Sequence, residues 1–232
     1  MYTYLLLIVC TLLSFIPFVL FWNNNYKRDF KSIFITTSII AIPFLIWDVI
    51  FTHMGIWGFN DEYLIGVKLL GLPIEEILFF WVIPFASIYV YYSVKCLIPS
   101  NLPSDRQRYY SYFLSVAFFV FALLNYSKTY TFVNFVSLGI IMFLISFEKR
   151  KYLITAILAY LITLIPFFIV NGILTSGIDS ISSNPVVWYN NQENISFRLG
   201  TIPFEDAFYG FMLIVSNIAL LERFFINKFK RD

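Results

Sequence analysis

The chain has 232 residues, of which 59% are hydrophobic and 13% charged, with a net charge of +2 and a mean hydropathy of +0.77. A soluble domain carries roughly 25% charged residues, so this composition points to a chain whose solvent is the bilayer. The small net charge gives no basis for a nucleic-acid partner, and Cys10 and Cys96, without CxxC spacing, give none for a metal site or a disulfide.

In chain order, apolar runs of about 20 residues predict seven membrane helices, over residues 3–22, 33–52, 74–94, 109–126, 131–147, 153–174 and 203–221. The first run lacks a positive leader and a small-residue cleavage site, so it reads as a retained helix and not as a signal peptide. The fourth and fifth are joined by a short link over residues 127–130. Interior prolines (Pro17, Pro43, Pro84, Pro166) are tolerated in membrane helices, where neighbours satisfy the freed carbonyl. Basic residues alternate between the loops. Lys27, Arg28, Lys31, Lys95, Arg106, Arg108, Lys149, Arg150, Lys151, Arg223, Lys228, Lys230 and Arg231 fall on one side, which leaves Lys68, Lys128 and Arg198 on the other. Loops rich in Lys and Arg stay cytoplasmic, so the expected orientation in the cell membrane is N-terminus outside and C-terminus inside.

An internal duplication runs through these helices. IPFLIWDVIFT (residues 42–52) aligns with IPFFIVNGILT (165–175) at an offset of 123, and Lys27–Arg28 falls on Arg150–Lys151 at the same offset. After a seven-residue insertion, Phe59 and Asn60 align with Tyr189 and Asn190, and PIEEILF (73–79) aligns with PFEDAFY (203–209), at an offset of 130. The expected fold class is therefore all-α: a polytopic membrane protein with about seven transmembrane helices as two parallel three-helix repeats joined by one helix. The units are 1–98, a linker helix in 99–130, and 131–232. Parallel repeats relate by an axis along the membrane normal and share a site at their interface.

The chemistry sits in Pro-x-Glu-[Glu/Asp], present as Pro73, Glu75, Glu76 and again as Pro203, Glu205, Asp206. Each copy opens a helix, where proline fits the first turn and carboxylates meet a favourable dipole. That explains one copy structurally. Two copies at equivalent positions point to function, because ionisable groups at membrane depth are costly. Successive helix positions point about 100° apart, so pairing across the repeats is expected, Glu75 near Glu205 or Glu76 near Asp206. Two acids sharing a dry site can keep one protonated. Around them cluster Trp57, Phe59, Phe79, Phe80, Trp81, Trp188, Tyr189, Phe204, Phe208 and Tyr209, whose ring faces attract cations. Singly, each of these also suits packing or an interfacial belt. Asp48 lies inside the second helix, opposite Asn171 in the other repeat. Asn60 and Asn190 match and could orient carboxylates, and Arg198 could pair with Glu205 or Asp206. His53, the single histidine, reads as a polar interfacial residue.

GxGxxG, P-loop, HExxH and DDxxD-like patterns are missing, which argues against nucleotide-driven, zinc-hydrolase and Mg²⁺-diphosphate chemistry and leaves proton chemistry on an apolar substrate, or transport. Two stretches, WDVIFTHMGIWGFNDEYLIGVKLLGLPIEEILFF (47–80) and NPVVWYNNQENISFRLGTIPFEDAFYGF (184–211), resemble the two halves of the lycopene cyclase domain family. In some bacteria that cyclase is two small subunits, and in fungi it is fused to phytoene synthase. The resemblance implies a linear C40 carotene with ψ-ends as substrate, β-ionone rings as product, and no net redox change. It further implies no cofactor, a lipid-dissolved substrate and carotenoid-pathway enzymes as neighbours, with Glu75, Glu76, Glu205 and Asp206 as acid and base. The competing readings are a small transporter or channel using the paired acids as a proton relay, and a non-catalytic partner subunit, which the complete second motif disfavours. Ring type, one-end against two-end cyclisation and carotene length stay open at this stage.

Overall fold

A computed structural model describes residues 2–21, 30–97, 106–149, 151–176 and 184–224. Lys27, Arg28, Arg150, Lys228, Lys230 and Arg231, used above for orientation and alignment, lie outside the described residues. Seven α-helices are described: α1 (Thr3–Phe21), α2 (Phe30–His53), α3 (Ile74–Leu97), α4 (Gln107–Leu124), α5 (Thr129–Ser146), α6 (Leu153–Ser176) and α7 (Phe204–Phe224). Their limits fall within a few residues of the apolar runs. Five of them (α2, α3, α5, α6 and α7) are long and apolar enough to cross a membrane. α1 is apolar but shorter over Thr3–Ser14. α4 spans 18 residues and opens on Gln107 and Arg108.

The main core joins α2, α3, α5, α6 and α7, through residues such as Ala41, Phe80, Ile88, Leu138, Ala156 and Val215. α4 and α5 form a hairpin in which Ser115 Oγ donates to the Gly139 carbonyl at 2.7 Å. At the far end of the bundle, buried Glu222 of α7 accepts from Tyr91 and Lys95 of α3, and Gln107 Oε1 accepts the Tyr152 and Leu153 backbone N–H groups at 2.7 and 2.9 Å.

The connections α2–α3, α4–α5 and α6–α7 gather at the opposite end, and they hold structure that the apolar runs do not announce. Strand β1 (Trp57–Phe59) pairs antiparallel with β4 (Val187–Tyr189), centred on Gly58 opposite Trp188. Two tight hairpins follow, β2 (Lys68–Leu69) with β3 (Leu72–Pro73) and β5 (Arg198–Leu199) with β6 (Ile202–Pro203). In the first, Leu70 and Gly71 both have positive φ, the conformation of a two-residue type I′ turn. Each strand of one connection stands 130 residues from its equivalent in the other. The linking backbone bonds match too: Asn60 N donates to Val186 O and Asn190 N to Ile56 O, and Ile74 N donates to Val67 O and Phe204 N to Phe197 O, all at 2.8–3.0 Å.

Gly58 is required at the centre of the β1–β4 pair, because a Cβ there would lie 2.3 Å from Cζ2 of Trp188. Gly58→Val should displace the indole and lower stability by about 1–3 kcal/mol, the usual range for overpacking. Thermal unfolding in detergent checks this. In the Gly58→Val/Trp188→Ala double variant the penalty should shrink, since the two residues share one contact.

Candidate active site

Each acidic pair divides its work in the same way. Glu75 and Glu205 are fully buried and turn back onto their own connections. Glu75 Oε1 accepts the Ile65 backbone N–H at 2.6 Å, and Glu205 Oε1 accepts that of Ile195 at 2.9 Å. Glu205 Oε1 also accepts from Thr131 Oγ1 at 2.5 Å. The residues that follow, Gly66 and Ser196, have positive φ, so each chain turns sharply at the point the glutamate holds. Neither Glu75 nor Glu205 lines the cavity described next.

That cavity, about 1190 Å³ counting its open mouth, is lined from α1, α3, α6 and α7, with Asp48 from α2, Tyr130 from α5, and Trp57, Phe59, Val187 and Tyr189 from the connections. Glu76 and Asp206 both line it, as does Asp48. The members of the two motifs that line one cavity are thus Glu76 and Asp206, and not Glu75 and Glu205. Along α3 the lining runs from Glu76 through Phe79, Ile83 and Ala86 to Val90, a helical distance of about 21 Å. Away from the acids the walls are mostly apolar, with Leu213 and Ile214 of α7 and Pro166 and Val170 of α6. Among the described residues no lysine, arginine or histidine lines it.

Tyrosines hold the acids. Tyr4 of α1 donates its hydroxyl to Glu76 Oε2. Tyr130 of α5 does the same for Asp206 Oδ1 at 2.6 Å, and Tyr189 donates to Asp206 Oδ2 at 2.7 Å. Burial, and then the neighbouring Asp206 charge, push the Tyr189 hydroxyl well above the ordinary tyrosine range, so it remains a donor. Asp48 Oδ1 accepts from Trp57 Nε1 at 2.6 Å. The rings pack edge to face around the acids. Trp57 lies 5.1 Å from Tyr130 and 6.2 Å from Tyr209, and Tyr209 lies 5.3 Å from Trp47.

Of the aromatic residues singled out in the sequence as cation-stabilising, Trp57, Phe59, Phe79, Tyr189 and Tyr209 line the cavity. Phe80 does not: it points into the main core against Phe44, one helical step round from Phe79. Trp188 does not either. It is 42% exposed and lies over Gly58, because neighbours on a strand face opposite ways. Asn60 and Asn190 cap their own turns, accepting from the backbone N–H of Glu62 at 3.1 Å and of Gln192 at 3.0 Å; they do not orient carboxylates. Arg198 bonds Asn191 Oδ1 at 2.6 Å and the Thr201 carbonyl at 2.8 Å, and it forms no ion pair with Glu205 or Asp206 among the described residues. His53 sits exposed at the end of α2, near Gly71. Tyr4, Tyr130, Tyr160 and Phe167 line the cavity without having been singled out. Tyr4 and Tyr130 follow Thr3 and Thr129 at the starts of α1 and α5, a repeated Thr-Tyr that could have flagged them.

The fold and site define a polytopic helical membrane protein that gathers carboxylates and aromatic rings at one end of an apolar cavity. The family model for lycopene cyclase matches residues 1–94 and 127–224, and the chain belongs to that family. Its role is accordingly that of an enzyme of carotenoid cyclisation. No curated protein and no solved structure matched the chain.

Removing the Glu75 or Glu205 side chain strips the half-buried Ile65 or Ile195 backbone N–H of its carboxylate acceptor, at a cost of about 1–3 kcal/mol. Glu205→Ala should be the more damaging because it also orphans Thr131. Thermal unfolding in detergent should show both losses and their order.

Proposed function

We propose that the chain is a redox-neutral lycopene β-cyclase, an intramolecular lyase acting by acid–base catalysis on the ψ-ends of a linear C40 carotene. The observation that carries this reading is the placement of three carboxylates and, among the described residues, no basic group at one end of a long apolar cavity, with aromatic rings around them. The terminal double bond takes a proton at C2, leaving a cation at C1. The C5=C6 bond attacks C1, which forms the C1–C6 bond and moves the cation to C5. Loss of the C6 proton to a carboxylate restores the C5=C6 bond. Atoms and electrons balance, so product and substrate are isomers and the reaction calls for no redox cofactor.

Glu76 and Asp206 are the members of the two motifs that face the substrate, and Glu75 and Glu205 position them. Trp57, Tyr130, Tyr189 and Tyr209 supply ring faces, which attract cations more strongly when desolvated. The apolar stretch over Ile83, Val90, Leu213 and Ile214 suits a polyene and would interrupt a proton-relay pathway. We read the elements recurring at 130 residues, and the two matched segments, as two parallel repeats. Lys31, Lys95, Arg106, Arg108, Lys149, Lys151 and Arg223 sit at the helix ends away from the site, which under the positive-inside rule supports reading the site as lying toward the outer side of the cell membrane. The substrate then arrives through the lipid from carotene-producing enzymes.

Co-expression with a lycopene-producing pathway tests the reading. The expected pigment has the mass of lycopene and absorbs at shorter wavelength, because ring closure twists the C5=C6 bond out of the plane of the polyene. Unchanged lycopene beside a well-expressed chain overturns the proposal. Glu76→Gln and Asp206→Asn, which keep shape but remove proton exchange, should each slow turnover by about 100-fold or more while the protein still accumulates. Pigment ratios normalised to protein level give the measurement.

A further inference from the structure

We infer that Asp48 is the group that protonates the substrate. The inference rests on the cyclase reading above and assigns within it the one role that the paired motifs leave undivided.

A site with two similar carboxylates lining one cavity needs something to make one end of the reaction acidic and the other basic. The environment of the motif acids supplies bases. Both oxygens of Asp206 accept phenolic hydrogens, from Tyr130 and Tyr189, an arrangement suited to a carboxylate, which accepts only. Glu76 accepts from Tyr4. Asp48 differs. It is 2% exposed and lines the same cavity. Its Oδ1 accepts from Trp57 Nε1 at 2.6 Å, but its buried Oδ2 has no hydrogen-bond partner. A buried anionic oxygen without a donor is costly, and the cost is relieved when that oxygen carries the proton. Glu75 and Glu205 also have one oxygen without a partner, yet neither lines the cavity, so of these three acids Asp48 is the one at the cavity wall.

The difference is built into the two halves of the chain. The counterpart of Asp48 at an offset of 123 is Asn171, which also lines the cavity. At an offset of 130, the counterpart of Trp57 is Val187 and that of Tyr189 is Phe59. One half therefore carries Asp48 with its indole donor, and the other carries the second phenol on Asp206. The Asp48 O–H bond breaks as the C2–H bond forms, and the indole N–H stabilises the carboxylate left behind. The C6 proton passes to the Glu76–Asp206 pair and on to water, and Asp48 takes a fresh proton from water before the next turnover, so the cycle has no net consumption of protons.

The test uses the full chain reconstituted in lipid vesicles loaded with lycopene. Wild type should form cyclic product, with one deuterium per ring in D₂O. Asp48→Asn keeps the acceptor for Trp57 and should lower kcat by about 100-fold or more, with lycopene still bound, as read from quenching of tryptophan fluorescence. Asp48→Glu should recover part of the rate. Asp48→Asn turning over at the wild-type rate overturns the role of Asp48 and leaves the cyclase reading standing. Wild type that leaves lycopene unchanged overturns both. Should Asp48→Asn fail to accumulate, Asp48→Ala assayed with added formate decides. Turnover that rises with formate supports the assignment, and turnover that is absent or independent of formate overturns it.

Discussion

The site depends on how two buried glutamates are satisfied. Taking a carboxylate out of water costs several kcal/mol even after relaxation, and Glu75 and Glu205 are fully buried in an apolar bundle. Each recovers part of that cost from a backbone N–H ten residues upstream, at Ile65 and Ile195. The bond does more than neutralise a penalty. It fixes the connection that carries the short hairpin, and the hairpin delivers the chain into the next helix with Glu76 or Asp206 turned about 100° away, into the cavity. The structural acid and the cavity-facing acid are neighbours in sequence because one sets the direction of the other.

The two connections also hold each other. β1 and β4 are equivalent strands paired antiparallel about Gly58 and Trp188, an arrangement that brings the two helix starts to a common centre. From there Tyr4 of α1 reaches Glu76 and Tyr130 of α5 reaches Asp206. On the proposed reading as two repeats, such symmetry makes a site but does not make it directional, and direction comes from the positions where the halves differ: Asp48 against Asn171, Trp57 against Val187, Phe59 against Tyr189.

Much of this could be read from the chain before folding. Apolar runs of membrane length gave the seven helices, since nothing else tolerates such runs, and the acidic motifs stood out because charge inside those runs is rare. What could not be read was which acid faces inward, because adjacent helix positions differ only in angle. The two- and three-residue strands were invisible, being too short to show a period of two. Tyr4 and Tyr130 sit where interfacial tyrosines are common, so their type alone carried no signal. Asn60, Asn190 and Arg198 were misjudged for a shared reason. A polar residue near an acid in sequence has its own backbone as a closer partner, and Asx turns and carbonyl contacts took these side chains first.

The charge balance of the cavity bears on what it can hold. Buried carboxylates ordinarily pair with a lysine or arginine, and the other end of this bundle does that, where Lys95 meets Glu222. At the site, Glu76, Asp206 and Asp48 are met by hydroxyl and indole donors instead. Neutral donors stabilise an anion without cancelling its field, and among the described residues no basic side chain lines the cavity to cancel the charge of whichever acid is ionised. The ring faces of Trp57, Tyr130 and Tyr209 likewise favour a cation. A permanently charged substrate would have to shed its hydration to enter the apolar stretch below the acids. On the proposed cyclase reading, a neutral polyene avoids that cost and becomes positive only after it takes a proton at the site, where the acids and ring faces then favour the cation over the ground state. That is the condition for catalysis by differential binding, and phenols and an indole meet it where a basic side chain would neutralise the acids in advance.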